Sequence, residues 1–218
     1  MTNQETIAFL LEQGVLQFGE FTLNSGRISP YFFNLGNVST GAGFARLGDA
    51  YAQAIVDADI QFDVLFGPAY KGIPIAVATA VALAQRGINV DVAYNRKEAK
   101  DHGEGGRLVG GAVQGRVLLI DDVLTSGKAI RDAVSLIQET DAHIVGAVIA
   151  MDRQEVLAQS EQHEPGHTAV QVLAEELQAP VISIANMHSL IEYLSAGSVQ
   201  DQTNLSNMQA YQAKYCLA

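Results

Sequence analysis

Two adjacent carboxylates are the clearest chemical feature of this sequence. Asp121 and Asp122 follow the apolar run Val117–Ile120, and a loop of small and hydroxyl residues, Thr125–Ala129, leads into a helical pattern. Ligands of open α/β sheets bind beyond the carboxyl ends of strands, and a helix start offers unpaired N–H groups that suit a phosphate. Paired acids beside such a phosphate cradle indicate a ligand that also presents sugar hydroxyls. Taken alone, the acid pair would equally suit a solvated turn.

A second group of charged residues occupies Asn95–Gly106, where cations, acids and glycines are mixed. Its candidate functional side chains are Arg96, Lys97, Lys100 and His102. The segment has no apolar stripe with which to pack in a core, so one interpretation is a solvated loop. The other is a mobile cationic lid, because a departing polyanion needs positive charge that arrives when the site closes. The glycines at its end suit the hinge of such a lid.

Three smaller patterns could add to a binding site. Phe66–Gly72 joins an apolar run to a helix through a Gly-Pro turn, an arrangement suited to an anion. Arg153 follows the apolar run that ends at Met151, and its planar guanidinium could hold a carboxylate by two hydrogen bonds. Turn signals flank the aromatic cluster Tyr31–Phe33, which by composition alone would belong to the core.

The elements that must position these residues repeat in the order apolar strand, glycine-containing turn, helix. The predicted strands are Phe62–Phe66, Val90–Tyr94, Arg116–Ile120, Ile144–Met151 and Val181–Ile184. Pro74–Arg86 predicts a helix that is apolar on all sides and therefore buried, and a second, amphipathic helix follows Gly127. Apolar strands that alternate with helices predict an α/β fold with a mostly parallel central sheet flanked by helices.

A single domain is predicted for residues 1–218, because no repeat or linker divides the sequence. The α/β core is expected at about residues 40–185. A small hood is expected from about residues 1–35 together with part of the C-terminal region.

Composition argues against several classes of function. With 13 basic and 24 acidic residues and a net charge of −11, the chain lacks the basic excess of a nucleic-acid-binding surface. No apolar run is long enough for a membrane span, and the polar N-terminus is unlike a signal peptide. Cys216, the single cysteine, excludes a disulfide framework and favours a reducing compartment. We therefore expect a cytoplasmic protein with no nucleic-acid or membrane partner.

The stretch RVLLIDDVLTSGKAI (Arg116–Ile130) resembles the phosphoribosyl pyrophosphate (PRPP) signature of type I phosphoribosyltransferases. The resemblance implies the fold of that family, with Asp121 and Asp122 as catalytic residues that bind the ribose hydroxyls. The phosphate-binding residues it implies are Val123, Leu124, Thr125, Ser126, Gly127, Lys128 and Ala129. Lys128 departs from the small or hydroxyl residue usual at its position and would add positive charge to the cradle.

The segment NRKEAKDHGEGG closely resembles the catalytic loop of the orotate phosphoribosyltransferases. The resemblance implies a homodimer in which the loop of residues 96–106 reaches into the neighbouring subunit's site. The implied catalytic and PRPP-binding residues of this loop are Arg96, Lys97, Lys100 and His102. In the Phe66–Gly72 segment, Tyr70 and Lys71 stand at the pyrophosphate-contacting positions of the family.

Further matches extend the resemblance from about Phe18 to Leu194. In the family a hood segment covers the flat pyrimidine, and an arginine holds the orotate carboxylate. The implied orotate contacts are Phe32, Phe33, Thr125 and Arg153. Asn24, an implied PRPP contact, stands where close bacterial relatives have a pyrophosphate-contacting lysine, and Arg27 could partly replace that contact.

The activity implied by the resemblance is transfer of the 5-phosphoribosyl group of PRPP to orotate, in pyrimidine synthesis. Mg²⁺ is the implied cofactor, carried by PRPP or pyrophosphate and not by a protein metal site. Such a displacement needs positioning, charge neutralisation at the leaving group and exclusion of water. Two alternatives stay open: a phosphoribosyltransferase for a purine base, against which the lid and Arg153 argue, and a PRPP-binding regulator on the same fold.

Overall fold

The computed structural model describes residues 1–23, 25–100, 106–124, 127–157, 166–197 and 201–217, without the side chains of residues 99 and 100. The helices in these ranges are α1 (Asn3–Glu12), α2 (Gly41–Asp57), α3 (Gly72–Gln85), α4 (Lys128–Ile137), α5 (Ala169–Leu177), α6 (Met187–Ser195) and α7 (Gln202–Tyr215). The strands are β1 (Leu16–Thr22), β2 (Ile28–Phe33), β3 (Val64–Gly67), β4 (Asp91–Lys100), β5 (Gly106–Gly110), β6 (Arg116–Ile120), β7 (His143–Asp152) and β8 (Val181–Asn186). A 3₁₀ turn at Leu35–Asn37 follows β2.

Six strands form a central sheet in the order β5-β4-β3-β6-β7-β8. Neighbours from β4 to β8 pair in parallel, and β5 pairs antiparallel with β4 at one edge. The carboxyl ends of the five parallel strands therefore meet at one end of the sheet, where ligands of such folds bind. The remaining strands, β1 and β2, form a separate antiparallel hairpin. The predicted α/β fold with a mostly parallel sheet is confirmed.

Both faces of the central sheet are covered, because successive strand residues point into two different cores. Leu65, Leu118 and Val148 pack on one face with helices α1, α2, α3, α6 and α7. Val117 and Leu119 pack on the other face with α4 and α5. Strands buried on both faces are apolar at every position, which explains why the sequence indicated them.

The predicted strands and helices are all present, with shifted ends. β4 differs most from its prediction, because it continues to Lys100 instead of ending at Tyr94. Its outer part pairs with β5, with Asn95 opposite Leu108 and Lys100 opposite Gly106. The segment expected to be a loop is therefore extended strand up to Lys100. No clear pattern of residues predicted β5 or the β1–β2 hairpin.

Helix α3 corrects the expectation that its segment is buried on all sides. Its inner face packs on α2, where Gly48 lies so close that a β-carbon would stand 2.3 Å from the carbonyl oxygen of Ala78. Its outer face is exposed in the single chain and contains no charged side chain. The apolar residues of this outer face are Pro74, Val77, Val81 and Ala84. Val77 is 49% exposed and Val81 is 56% exposed. The apolar side chains of this face are therefore accessible to solvent in the single chain.

The first and last parts of the chain meet beside the carboxyl end of β7. Helix α7 packs against β2 and buries Met208 and Tyr211 in the first core. In the loop after β7, the N–H of Val156 donates to the carbonyl oxygen of Tyr215 at 2.8 Å. The Arg27 side chain donates to the carbonyl oxygen of Val156, also at 2.8 Å. These contacts join the hairpin, the β7 loop and the C-terminal helix.

Candidate active site

The acid pair lies where buried strand β6 ends. Asp121 and Asp122 are only 7% and 8% exposed. Tyr51 of α2 donates its hydroxyl hydrogen to the carbonyl oxygen of Asp121 at 2.8 Å. Oδ1 of Asp121 accepts the N–H of Asp122 at 2.9 Å, which turns the backbone at the strand end. The Asp121 carboxylate is therefore fixed by the backbone before any ligand arrives.

The two acids differ in their electrostatic surroundings. Burial, together with the nearby Asp122 charge, raises the pKa of Asp121 from 3.8 to about 6, while the hydrogen bond from the N–H of Asp122 and the Lys71 charge oppose the rise. Asp122 instead has a direct cation, because Nζ of Lys71 lies 2.5 Å from its Oδ2. The Lys71 side chain is 57% exposed, so it can leave Asp122 for a ligand at little cost. The proposed pyrophosphate lysine and ribose acid are thus adjacent.

The phosphate loop leads from the acids into α4. Gly127 begins the helix with φ +65°, a left-handed conformation that favours glycine, and no side chain caps this end. The start of α4 therefore directs backbone N–H groups of its first turn toward a position that suits a phosphate. Val123 is bridged to Met151 of β7, which ties the loop to the sheet. Thr125 and Ser126 lie outside the described residues.

The segment between β3 and α3 forms the next wall. Gly67 and Gly72 approach so closely that a β-carbon on Gly67 would stand 2.3 Å from the carbonyl oxygen of Gly72. Oδ1 of Asn95 in β4 accepts the N–H of Ala69 at 3.0 Å and holds the loop toward the sheet. Tyr70 extends from this loop and is 68% exposed. The tight turn thus presents the exposed Tyr70 side chain to the site.

The lid segment contributes side chains from two paired strands. Lys97 of β4 and Arg107 of β5 line the same cleft as the acid pair. Arg96 precedes Lys97 and is half-buried. The Lys100 side chain and His102 lie outside the described side chains and residues, so their roles stay predictions.

One cleft of about 440 Å³ gathers most of these groups. Its lining includes Tyr70 on one side, Asp121 and Asp122 at the strand end, and Gly127–Ala129 at the start of α4. Cations, carboxylates and the first turn of α4 therefore face a single space. Such a space suits a ligand with phosphates and vicinal hydroxyls.

Arg153 stands at the end of β7, the neighbour of β6. Its Nη2 donates to Oγ of buried Ser29 at 3.1 Å, and its guanidinium lies over the Tyr31 ring at 4.3 Å from the centroid. Nε donates to Oε1 of Glu155 at 2.7 Å. The guanidinium is therefore held on its face and on one edge.

The hairpin places the aromatic residues on alternate faces. Tyr31 is fully buried below Arg153, whereas Phe32 is 39% exposed and stacks on Phe21 at 5.4 Å between centroids. Phe33 is partly buried and packs against the first core. Composition alone had placed all three in the core, and this is wrong for Phe32. Contact of Phe32 and Phe33 with one pyrimidine stays a prediction.

Of the two hairpin residues expected to meet the pyrophosphate, the structure describes only Arg27, which is not among the residues lining the cleft. Asn24 lies outside the described residues. Arg27 contacts Glu155 at 3.2 Å and lies over the Tyr215 ring at 4.9 Å. Since Arg27 is engaged on the hood side, the hypothesis that it replaces a contact of Asn24 gains no support.

Sequence reasoning missed several residues that shape the site. Tyr51 and Asn95 hold backbone groups of the two loops, and Arg107 lines the cleft. Arg107 had a signal, since it directly follows the glycines of the lid. Tyr51 had none, because it lies 70 residues from the aspartate it anchors.

Comparison with known proteins identifies the family. The family model described as a phosphoribosyl transferase domain matches residues 36–164. Orotate phosphoribosyltransferase of Thioalkalivibrio sulfidiphilus is 52% identical over 212 residues, which cover 97% of this chain and 96% of the relative. The chain belongs to the orotate phosphoribosyltransferase family.

Solved structures of phosphoribosyltransferases agree with this membership. The crystal structure of orotate phosphoribosyltransferase from Francisella tularensis has a TM-score of 0.85 at 40% identity, covering 98% of this chain and all of that one. Adenine phosphoribosyltransferase from Saccharomyces cerevisiae has a TM-score of 0.51 at 16% identity, covering 82% and 99%. The second likeness shows the fold alone.

Within the described ranges, no group of three or more His, Cys, Asp or Glu side chains could hold a metal ion. Among the helices of the same ranges, none is sufficiently long and apolar to cross a bilayer.

Proposed function

We propose that this chain transfers the 5-phosphoribosyl group of PRPP to orotate, giving orotidine 5′-monophosphate and pyrophosphate. Its membership of the orotate phosphoribosyltransferase family supports this activity, which belongs to pyrimidine synthesis. The chain acts as a single domain in the cytoplasm, with the hood over the pyrimidine.

The observation that carries the proposal is the position of the acid pair. Asp121 and Asp122 lie between the α4 N-terminus, which suits a 5-phosphate, and the Tyr70–Lys71 loop, which suits pyrophosphate. A ribose held by the two acids would have its phosphate on one side and its leaving group on the other. Arg153 lies on the next strand, where a guanidinium can hold a carboxylate by two hydrogen bonds.

Catalysis then depends on positioning and charge. Displacement at the anomeric carbon develops positive charge on the ribose and negative charge on the departing pyrophosphate. The adjacent carboxylates stabilise the first, and Lys71 and Arg107 stabilise the second together with the lid cations of the partner subunit. When PRPP binds, Lys71 exchanges Asp122 for the pyrophosphate and frees that carboxylate for the ribose hydroxyls. No step requires a covalent protein nucleophile.

The donor set of the cleft fits Mg²⁺ carried by the substrate. The ion prefers oxygen donors and keeps several waters, and Asp121 and Asp122 offer such donors beside the pyrophosphate position. Bound with PRPP, Mg²⁺ supplies further neutralisation of the leaving group.

The working form is a homodimer in which residues 96–106 of one subunit complete the site of the other. The exposed apolar face of α3 supports a second copy as its cover, since Val77 and Val81 are half-exposed and no charge lies on the helix. The described parts of the lid segment lie at one edge of the central sheet, where β4 continues to Lys100 and β5 begins at Gly106.

The purine enzyme and the regulator are not favoured. A relative 52% identical over nearly the full length is an orotate phosphoribosyltransferase, whereas the adenine enzyme shares 16% identity. A guanidinium held at the end of β7 suits a carboxylate, which adenine and hypoxanthine lack.

The first experiment mixes purified protein with orotate, PRPP and Mg²⁺ and follows the loss of orotate absorbance. We expect metal-dependent formation of orotidine 5′-monophosphate that stops with EDTA. Hypoxanthine and adenine in place of orotate should give no product.

The variant Lys100→Ala should lower kcat by at least about a hundredfold, because it removes a lid cation at the leaving group. PRPP binding without turnover of any base would overturn the enzyme and favour the regulator.

A further inference from the structure

The Glu155 carboxylate lies between two arginines, and no step of the proposed reaction uses it. Its Oε1 accepts Nε of Arg153 at 2.7 Å, and its Oε2 accepts Nη1 of Arg27 at 3.2 Å. Oε1 also accepts the hydroxyl of Tyr211 at 2.9 Å. The Glu155 side chain is only 13% exposed, so these charge-assisted contacts are sheltered from water.

The three partners of Glu155 come from distant parts of the chain. Arg27 precedes β2 in the hood, Arg153 follows β7, and Tyr211 belongs to the C-terminal helix α7. Burial raises the pKa of Tyr211 to about 12, so its phenol keeps the proton that it donates. Glu155 therefore joins the hood, the sheet and the C-terminal helix at one point.

These contacts leave part of the Arg153 guanidinium for a ligand. Nε is held by Glu155, Nη2 donates to Ser29, and one face lies on Tyr31. The guanidinium also interacts directly with the Tyr211 hydroxyl. The Arg153 side chain remains 22% exposed. A guanidinium fixed in this way presents a defined edge to a carboxylate.

The C-terminal helix α7 and the residue that follows it also hold Arg153 in place. The Tyr211 ring meets the Tyr31 ring edge to face, with centroids 6.5 Å apart. The thiol of Cys216 donates to the carbonyl oxygen of Arg153 at 3.6 Å, and Glu155 is bridged to Cys216 through the backbone. Both the backbone and the side chain of Arg153 thus depend on the segment after Gln202.

The geometry points to Glu155 and Tyr211 as positioning residues that orient Arg153 toward the carboxylate of orotate. The inference rests on the proposed function, because it assigns Arg153 to that carboxylate. It gives the C-terminal helix a role in selecting the pyrimidine, with no contact of its own to PRPP. Neither residue touches the reacting atoms.

The test compares Glu155→Gln and Tyr211→Phe with the wild type, using steady-state kinetics and orotate binding by calorimetry. Glu155→Gln keeps the shape and removes the charge, and should raise the orotate KM and Kd about tenfold. Tyr211→Phe keeps the ring and should raise them about threefold. The KM for PRPP should change less than twofold in both. Glu12→Gln, which weakens an exposed pair with Arg46, is the matched control and should change neither KM.

A purely structural role would give a different pattern. It would lower the melting temperature or the active fraction and leave the orotate KM unchanged, or raise both KM values together. Either result overturns the inference. In a double-mutant cycle, Glu155→Gln should have little further effect in an Arg153→Lys background, whereas additive effects would contradict action through Arg153.

Failure of the proposed function is a separate outcome. If the wild type does not turn over orotate, the function itself is wrong. If the wild type is active but Arg153→Ala leaves the orotate KM unchanged, the role of Arg153 is wrong, and the inference falls with it. If Arg153→Ala raises that KM and Glu155→Gln does not, only the inference fails.

Discussion

At the scale of single residues, the site places carboxylates where their ionisation costs free energy. Asp121 is buried at the end of β6, and its pKa is raised from 3.8 to about 6. A carboxyl whose pKa is raised by folding stabilises the protein fully only below its unfolded pKa. That stability is lost as the pH rises through about 6, so at neutral pH the ionised Asp121 opposes folding.

The variant Asp121→Asn should therefore be more stable than the wild type at pH 8 and nearly inactive. Its amide can still accept the N–H of Asp122, and it carries no buried charge. The pKa shift sets an upper limit of about 3 kcal/mol on the gain at pH 8, with the gain disappearing near pH 4. Melting temperatures measured at pH 4, 6 and 8 check this, together with turnover at pH 8.

Asp63→Asn is a control whose effect on stability at pH 8 has the opposite sign. The Arg116 side chain lowers the pKa of the exposed Asp63 to about 2, so this carboxylate stabilises the fold above its unfolded pKa of 3.8. That contribution is lost as the pH falls toward 2. Asp63→Asn should thus lower the melting temperature slightly at pH 8. A loss of stability in Asp121→Asn at pH 8 would contradict the argument.

At the scale of elements, glycines decide how closely the pieces around the site approach. Gly48 allows α2 to lie against the backbone of α3, and Gly67 and Gly72 let the pyrophosphate loop fold on itself. Because α2 also carries Tyr51, its position against α3 is linked to the position of Asp121. Helix packing therefore extends to the geometry of the acid pair.

We expect Gly48→Ala to destabilise the chain and lower its activity together. Its β-carbon would stand 2.3 Å from the carbonyl oxygen of Ala78, a backbone atom that moves only if the helices separate. Overpacking of this kind costs about 1–3 kcal/mol, or roughly 3–10 °C in melting temperature for a chain of this size. Thermal unfolding and turnover measure the two effects.

Gly41→Ala is the matched control within the same helix. A β-carbon there has no neighbour within 4 Å, so its melting temperature should change by less than about 2 °C. Equal losses in Gly41→Ala and Gly48→Ala would mean that the close approach of α2 and α3 is unimportant.

At the scale of the whole molecule, the chain exposes an apolar face and carries its lid segment at a sheet edge. Both features are explained if a second copy covers α3 and receives the lid. Val81 is 56% exposed on that face, and Val56 is a comparable exposed apolar residue on α2 at 41%. The two valines allow the dimer to be tested with one kind of substitution.

Val81→Arg should give a monomer by analytical ultracentrifugation and lower turnover at least about tenfold, because the lid of the partner no longer reaches the site. Val56→Arg should remain a dimer with normal turnover.

Mixing inactive Lys100→Ala and Asp121→Asn chains under subunit exchange should restore about a quarter of wild-type activity. Half of the dimers then contain one variant of each kind, and one of the two sites in such a dimer is complete. A fully active Val81→Arg monomer, or no restoration on mixing, would contradict the shared site.

The parts of the protein that are local in the chain could be predicted from its residues alone. Val117–Ile120, the acid pair and Gly127 are consecutive features, so a strand, its end and a helix start could be predicted together. The fold class followed from strands that are apolar on both faces, because such strands must be covered on both sides.

Contacts between distant residues depend on the folded chain and could not be predicted in this way. Tyr51 and Asp121 are 70 residues apart, and Tyr211 and Glu155 are 56 apart, so no local pattern connects them. Exposure of the outer face of α3 also depends on the folded chain. The residues show that the helix is apolar, but they do not show what packs against it. Residue types show what chemistry a side chain can perform, and packing decides what it can reach.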